Sequence, residues 1–482
     1  MEPAVDTPNP TAAAAATAAQ KFAPTPRWWR IAILAGIVVL GLATYALRSA
    51  IGLRGQGACG IACFIGIVAA CSANLRAVRW RTIACGFAIQ VVLALFILKS
   101  TVGYDVFDAV GNAAKRFLDF TGVGAKFVFG ALADPGEMNK VFGEGKGFVF
   151  AFAALPAIIF ISSFFTVLYY FGILQFFVRL MAKAMMHLMN TSGAETLSAV
   201  ANVFMGQTEA PLIVKPYVPR MTRSELLALM VGGMATISGG MMAVYIGLGA
   251  DPVAILATSV MAAPCGLYLA KLMLPETELP ETHGRAKIAT EKSHVNAIDA
   301  AAAGASDGLH MALNVGAMII AFLAFIALAD ALLAGIKPGL IWAGISADAL
   351  AWWPDRLSLS YLFSHLFAPA AFLMGVESSD VPILADLLGT KLVSNEMIAF
   401  MKLTSADAAA GYRHVITPRG YVLATYALTG FANLGSLGIL LGGVGAMAPT
   451  RRGDLAALGG RALLCGFLAT LINAALAGIL ME

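Results

Sequence analysis

The sequence predicts an all-α polytopic membrane protein with two inverted repeats, re-entrant helical hairpins and broken transmembrane helices. Three observations carry that expectation. Of the 482 residues, 59% are hydrophobic and only 12% charged, whereas a soluble domain carries about 25% charged residues. The apolar runs reach the roughly 20 residues a helical span needs, without the ten-residue alternation of an outer-membrane barrel. Finally, two glutamates, Glu209 and Glu396, lie within apolar sequence, each beside signs of an interrupted helix. A carboxylate at mid-bilayer costs about 3 kcal/mol on insertion scales, so each is a functional-site candidate.

Residues 1–26 are rich in Ala, Thr and Pro and predict a disordered tail. An uncleaved additional helix is expected over 27–57, its apolar part running from Trp28 to Leu47. Apolar segments near 58–75 and 83–99 flank the basic loop Arg76–Arg81, which the positive-inside rule places, with the N-terminus, in the cytoplasm. Residues 104–127 read as an amphipathic interfacial helix and 148–172 as a span. A short surface helix then bears Arg179, Lys183 and His187.

The stretch 194–219 is too short and polar for one crossing, and Lys215, Arg220 and Arg223 follow it closely. It is expected to enter and leave from the same side as a hairpin. A span over 224–248 carries Thr236, and another ends near Leu274. A polar loop fills 275–296, and an alanine-rich interfacial stretch at 297–308 precedes a span over 309–334. An outer loop with Trp342, Trp352 and Trp353 comes after it, then a span at 359–376. The second acid-bearing hairpin is expected at 384–402, and the last spans at 419–446 and 455–480.

The two halves thus share a plan: a hairpin, a span with a polar glycine-containing break, and a further span. Inverted repeats with interrupted helices are an architecture of secondary transporters.

Several classes are excluded. A net charge of +4 spread over short loops does not suit nucleic-acid binding. No His-rich helix and no His-Glu-x-x-His occurs, so the chain is not expected to be an enzyme. The six cysteines lie in apolar segments without metal or disulfide spacing and are expected to be buried packing residues.

Gln207, Thr208 and Glu209 are consecutive, and on an intact helix they would point about 100° apart. Gly206 and Pro211 on either side let the chain unwind, so that all three can face one cavity. Asn433 and Ser436, spaced i and i+3, are expected to share a helix face, with Phe431 just before them. With Asn395 and Glu396 they supply acceptors, donors and an aromatic surface, suited to an uncharged polar molecule with hydroxyls and a planar ring. Interhelical hydrogen bonding explains Asn433 and Ser436 equally well. The Asn202 and Thr236 side chains, with the Met205 and Ile237 carbonyls, offer hard oxygen ligands for a small cation. Ordinary hairpin-to-helix hydrogen bonds are an equal alternative for this set.

Asn202-Val-Phe-Met-Gly-Gln-Thr-Glu-Ala-Pro-Leu-Ile-Val-Lys-Pro-Tyr217 resembles the signature of the concentrative nucleoside transporter family. Asn314-Val-Gly-Ala-Met318, Asn395-Glu396 and Phe431-Ala-Asn433 resemble it too, and the likeness covers about residues 58–480. The resemblance implies sodium-coupled, elevator-type nucleoside uptake by a homotrimer in the bacterial inner membrane, each protomer divided into a scaffold (58–190 and 309–376) and a mobile transport unit in two halves (191–308 and 377–482). It implies that Gln207, Thr208 and Glu209, with Gly206 beside them, contact the base. It further implies that Glu396, Asn433 and Ser436 hold the ribose, with Phe431 packing nearby. Na+ would be held by Asn202, Met205, Thr236 and Ile237. Met241 stands where family members often have a smaller side chain beside the base, which leaves purine against pyrimidine preference open. Ser238 stands where alanine is usual. Proton coupling through Glu209 is the alternative to Na+.

Overall fold

A computed structural model describes residues 23–481, apart from 144–146, 148, 154, 283–293, 347, 352, 355–356 and 406–410. Of the tail expected over 1–26, residues 1–22 lie outside the described residues, as does the middle of the polar loop. Among the described residues the regular structure is helical, and eight helices are long and apolar enough to cross a membrane.

The first three long helices are α1 (Arg27–Ala46), α2 (Arg48–Ala70) and α3 (Trp80–Lys99). The amphipathic α4 (Thr101–Phe129) starts at the Ser100 cap, whose hydroxyl accepts from the Gly103 amide. After α5 (Pro135–Phe142) come α6 (Phe150–Ala153), α7 (Leu155–Tyr170) and α8 (Ile173–Met189). The first hairpin begins with α9 (Gly193–Ala201), which opens on a Ser192–Glu195 capping box. Its return limb is made of 3-10 turns at Ala210–Val214 and Val218–Arg220. Pro211, Pro216 and Pro219 withhold the amides that a continuous α-helix would need.

The next helix is interrupted: α10 (Arg223–Ala235) ends at Thr236, and α11 (Gly239–Gly247) restarts after Ser238. An Asp251 cap and Pro252 start α12 (Pro252–Met273). Two expectations fail beyond α12. Residues 297–334 are not an interfacial stretch and a separate span but part of one helix, α13 (Ala297–Trp342), 46 residues long. The alanine-rich start is strongly helix-forming, and no proline separates it from the apolar run. The supposed span over 359–376 is instead two short helices, α14 (Leu359–Leu366) and α15 (Ala368–Leu373), parted at Phe367 close before Pro369.

The second hairpin pairs α16 (Val381–Val393) with α17 (Glu396–Thr404). The last interrupted helix comprises α18 (Pro418–Leu428) and α19 (Leu434–Met447), and α20 (Arg452–Leu480) closes the fold.

Burial differs sharply among the apolar helices, because in a membrane an all-apolar helix can face either lipid or the interior. The α10–α11 span is 94% buried and α12 89%, against 6% for α1 and α13. At the centre α10, α12 and α20 pack on one another and α18 packs on α12 and α20, with α2 laid on α20 and α3 on α12. Outside it, α13 lies along α7 at close range. A Cβ on Gly308 would stand 2.7 Å from the Ile159 Cα, so only glycine permits that approach. Of the cysteines expected to be buried, Cys63, Cys265 and Cys465 are, whereas Cys59 and Cys85 are half-buried and Cys71, at the C-terminal end of α2, is exposed.

Candidate substrate and cation site

Three half-helices, α11, α17 and α19, begin within the apolar interior, and each is capped by a polar side chain. Ser238 Oγ accepts from the Met241 amide, Asn395 Oδ1 from the Ile398 amide, and Asn433 Oδ1 from the Ser436 amide. Asn433 and Ser436 are therefore brought together as a cap and the third residue of its helix, not as neighbours on a helix face. The unusual Ser238 has a local explanation in the same terms.

The first hairpin tip seats directly on the first break. The Gly239 amide donates to the Phe204 carbonyl at 3.0 Å. Gly233 faces Gln207: a Cβ there would come within 2.8 Å of the Gln207 Cβ. Gly232 faces Asn202 in the same way, its would-be Cβ 3.1 Å from Asn202 Nδ2. The small residues of α10 thus let the tip lie against it. The two breaks also meet, since the Phe431 amide donates to the Thr236 carbonyl at 3.0 Å.

Asn202 and Gln207 are both buried, and Asn202 Oδ1 and Gln207 Oε1 have no hydrogen-bond partner among the described residues. Buried polar atoms without partners are rare and call for a ligand or a functional reason. Asn202 Nδ2 is held by the Ser198 carbonyl at 2.9 Å, which leaves its oxygen directed elsewhere. Thr236 Oγ1 donates to the Gly232 carbonyl at 2.8 Å and keeps its lone pairs. Among the described residues no amide is directed to the Met205 or Ile237 carbonyl. An amide oxygen, a hydroxyl and two carbonyls form an all-oxygen set, which fits a hard cation.

The Glu209 carboxylate accepts from the Gly206 amide at 3.2 Å. Glu209 lines a cavity of about 620 Å³ between the first hairpin, α7 and α13, together with Met205, Lys215, Ser238, Phe165 and Asp307. Thr208 is half-buried beside Gly443 of α19. Met241 is buried in the first turn of α11.

Glu396 is the first residue of α17, where the helix dipole favours a negative charge. Its Oε2 accepts from Asn433 Nδ2 at 2.7 Å and its Oε1 from the Tyr245 hydroxyl at 2.9 Å. Glu396, Asn433 and Ser436 are thereby assembled on one side of the joined breaks, with Phe431 half-buried at the junction. Of Gln207, Thr208 and Glu209 only Glu209 lines the cavity between the first hairpin, α7 and α13, and Glu396 does not line it.

Sequence reasoning missed Tyr245. The available signal was a tyrosine within an otherwise apolar half-helix, because a buried phenol needs a partner. Lys391 was also passed over. It is fully buried on α16, where its Nζ donates to the Ala427 carbonyl at 2.8 Å and to Thr470 Oγ1 at 3.0 Å.

Residues 59–132, 151–252 and 254–478 match families described as Na+ dependent nucleoside transporter N-terminus, Nucleoside recognition, and Na+ dependent nucleoside transporter C-terminus. The chain is 40% identical over 424 residues to an uncharacterized transporter of Haemophilus influenzae, spanning 87% of this chain and 96% of that protein. It is 39% identical over 434 residues to sodium/nucleoside cotransporter 1 of Mus musculus, but spans only 63% of that longer protein. Among solved structures, CNTnw in an inward-facing substrate-bound state superposes with a TM-score of 0.80 at 38% identity, over 89% of this chain and 98% of that one. CNTnw in an outward-facing state gives 0.80 at 37% identity. A match that runs through both hairpins and both interrupted helices reaches every part of the site, so this chain, a transporter and not an enzyme, belongs to the Na+-dependent concentrative nucleoside transporter family.

Proposed function

We propose that this protein takes up nucleosides into the cell together with Na+, as a homotrimer in the bacterial inner membrane with its N-terminus in the cytoplasm. The observation that carries the reading is the pair of buried, unpartnered oxygens, Asn202 Oδ1 and Gln207 Oε1, on one hairpin tip. The first has the surroundings of a cation ligand, and the second is available to a polar ring. In this reading Gln207, Thr208 and Glu209 meet the base beside Gly206 and Met241. Glu396, Asn433 and Ser436 take the ribose, with Phe431 against it. Na+ is held by Asn202, Met205, Thr236 and Ile237, and its charge adds the membrane potential to the driving force. One charge crossing about 100 mV is worth roughly 2.3 kcal/mol, or close to fifty-fold accumulation.

Alternating access is proposed to be of the elevator type, with the two inverted repeats supplying re-entrant hairpins to a moving part. The scaffold is built on α7 and α13. The packing of α2 on α20 and of α3 on α12 supports counting those helices with the moving part, which makes the scaffold narrower than residues 58–190. CNTnw has been solved in inward-facing, outward-facing and intermediate states, and such a set of states is what an elevator requires.

Uptake of labelled uridine into proteoliposomes under an imposed Na+ or pH gradient tests the proposal. Accumulation is expected with the Na+ gradient alone. Accumulation driven only by protons would replace Na+ with proton coupling through Glu209. Glu396→Gln and Asn433→Ala are expected to abolish uptake while the protein remains folded in the membrane. Normal uptake by both would rule out the ribose site.

A further inference from the structure

The half-helix α11 starts immediately after the residues placed around the cation and carries, on its seventh residue, the phenol that touches Glu396. Tyr245 is fully buried. Its ring lies flat on Phe400, with centroids 4.2 Å apart and planes 19° apart, and its hydroxyl donates to Glu396 Oε1 at 2.9 Å. Phe400 and Glu396 are one turn apart on α17, so both contacts of the tyrosine fall on one face of that helix. The stacking fixes the ring, and the fixed ring aims the hydroxyl.

A carboxylate has about four acceptor positions. Tyr245 occupies one on Oε1 and Asn433 one on Oε2. Held from two different elements, the Glu396 carboxylate cannot rotate, and its remaining positions have a defined direction. With Asn433 alone it would pivot about a single hydrogen bond. The two holders also differ in origin. Asn433 belongs to the same half of the fold as Glu396, whereas Tyr245 comes from the half that carries Asn202 and Thr236.

We propose that Tyr245 is a positioning residue that sets the Glu396 carboxylate for the sugar hydroxyls and passes order at the Thr236–Ile237 break to it. The inference rests on the proposed ribose and cation sites. Tyr245 stands six positions after Gly239, where α11 begins, which is about 9 Å of helix at 1.5 Å per residue. No break interrupts α11 along the way. A ligand that fixes the break therefore fixes the angle of α11, and with it the phenol. By linkage, sugar binding at Glu396 strengthens cation binding by the same factor.

The test measures binding to purified protein, without transport. Uridine and 2′,3′-dideoxyuridine are titrated in Na+ and in choline, using wild type, Tyr245→Phe, Phe400→Leu and Glu396→Gln. Tyr245→Phe keeps the ring and removes the hydroxyl. It is expected to weaken uridine binding roughly tenfold to a hundredfold, the loss of one hydrogen bond to a charged group. Dideoxyuridine binding should be unchanged, and the enhancement of uridine binding by Na+ should fall toward unity. Phe400→Leu, which frees the ring but keeps the hydroxyl, should give a smaller loss of the same kind, and it decides the matter if Tyr245→Phe does not fold. If Glu396→Gln abolishes discrimination between the two nucleosides while the Tyr245 and Phe400 variants keep both discrimination and Na+ enhancement, the inference is overturned and the ribose site stands. If Glu396→Gln also discriminates normally, the ribose site itself is wrong.

Discussion

Asn202 shows how much one atom can specify. Its amide nitrogen is tied to the Ser198 carbonyl, which fixes the flip of the side chain and leaves Oδ1 buried without a donor. Leaving such a group unsatisfied costs about 1–3 kcal/mol, which cation binding would recover. Asn202→Ala is therefore expected to raise the half-saturating Na+ concentration for uridine uptake by about tenfold. The maximal rate at saturating Na+ should change far less, and uptake at graded Na+ checks this. Gln207 presents the matching case for the base. Gly233→Val, which places two methyls where the Gln207 Cβ lies, should weaken uridine binding without lowering expression, as a binding titration would show. These residues were legible in the sequence because Gly206 and Pro211 mark the unwound tip and Thr236 and Ser238 interrupt an apolar run. Tyr245 was not, since 151 residues separate it from Glu396 and no local pattern links positions so far apart.

At the level of elements, each hairpin is clasped by a lysine paired with carboxylate, the lysine buried in the first hairpin and half-buried in the second. Lys271 of α12 bridges Glu195 of α9 at 2.6 Å and Glu276 at 3.1 Å, and also donates to Ser224 of α10. In the second hairpin Lys402 pairs with Asp386 at 2.9 Å, and the Tyr412 hydroxyl donates to the same carboxylate at 2.8 Å. Breaking a buried pair by removing one member is more damaging than never having built it. Lys271→Met should cost about 3–5 kcal/mol, visible as a large drop in the thermal unfolding midpoint of the detergent-solubilised protein. With their limbs clasped below, the tips are expected to travel with α10, α12 and α20 and not to flap independently. Element types and order were readable from hydropathy, caps and prolines. The errors fell where two apolar elements join without a loop, in α13, and where a short apolar run hides a turn, at Phe367. Hydropathy alone does not distinguish one 46-residue helix from two shorter ones.

For the whole molecule, the cavity between α13 and the first hairpin marks a boundary at which relative motion is expected. Asp307 of α13 and Lys215 of the hairpin line it from opposite sides. In a background with the exposed Cys71 replaced by serine, Asp307→Cys and Lys215→Cys joined by a reducible bifunctional reagent should stop uptake of labelled uridine. Reductant should restore it. A comparable link between α10 and α20, which pack together in the centre, should leave uptake intact. The sequence located the two halves but not this boundary, because membership of a moving part depends on which faces pack together. The additional helix α1 bears on the same boundary. It rests chiefly on α2, which rests on α20, while Trp29 also meets Arg76 and Arg30 reaches the Ser72 carbonyl at 2.9 Å. If the cargo-bearing part slides, α1 is towed along through the surrounding lipid. A dye attached near Trp28 would then change depth once per turnover, making the protein's own leading segment a gauge of its stroke.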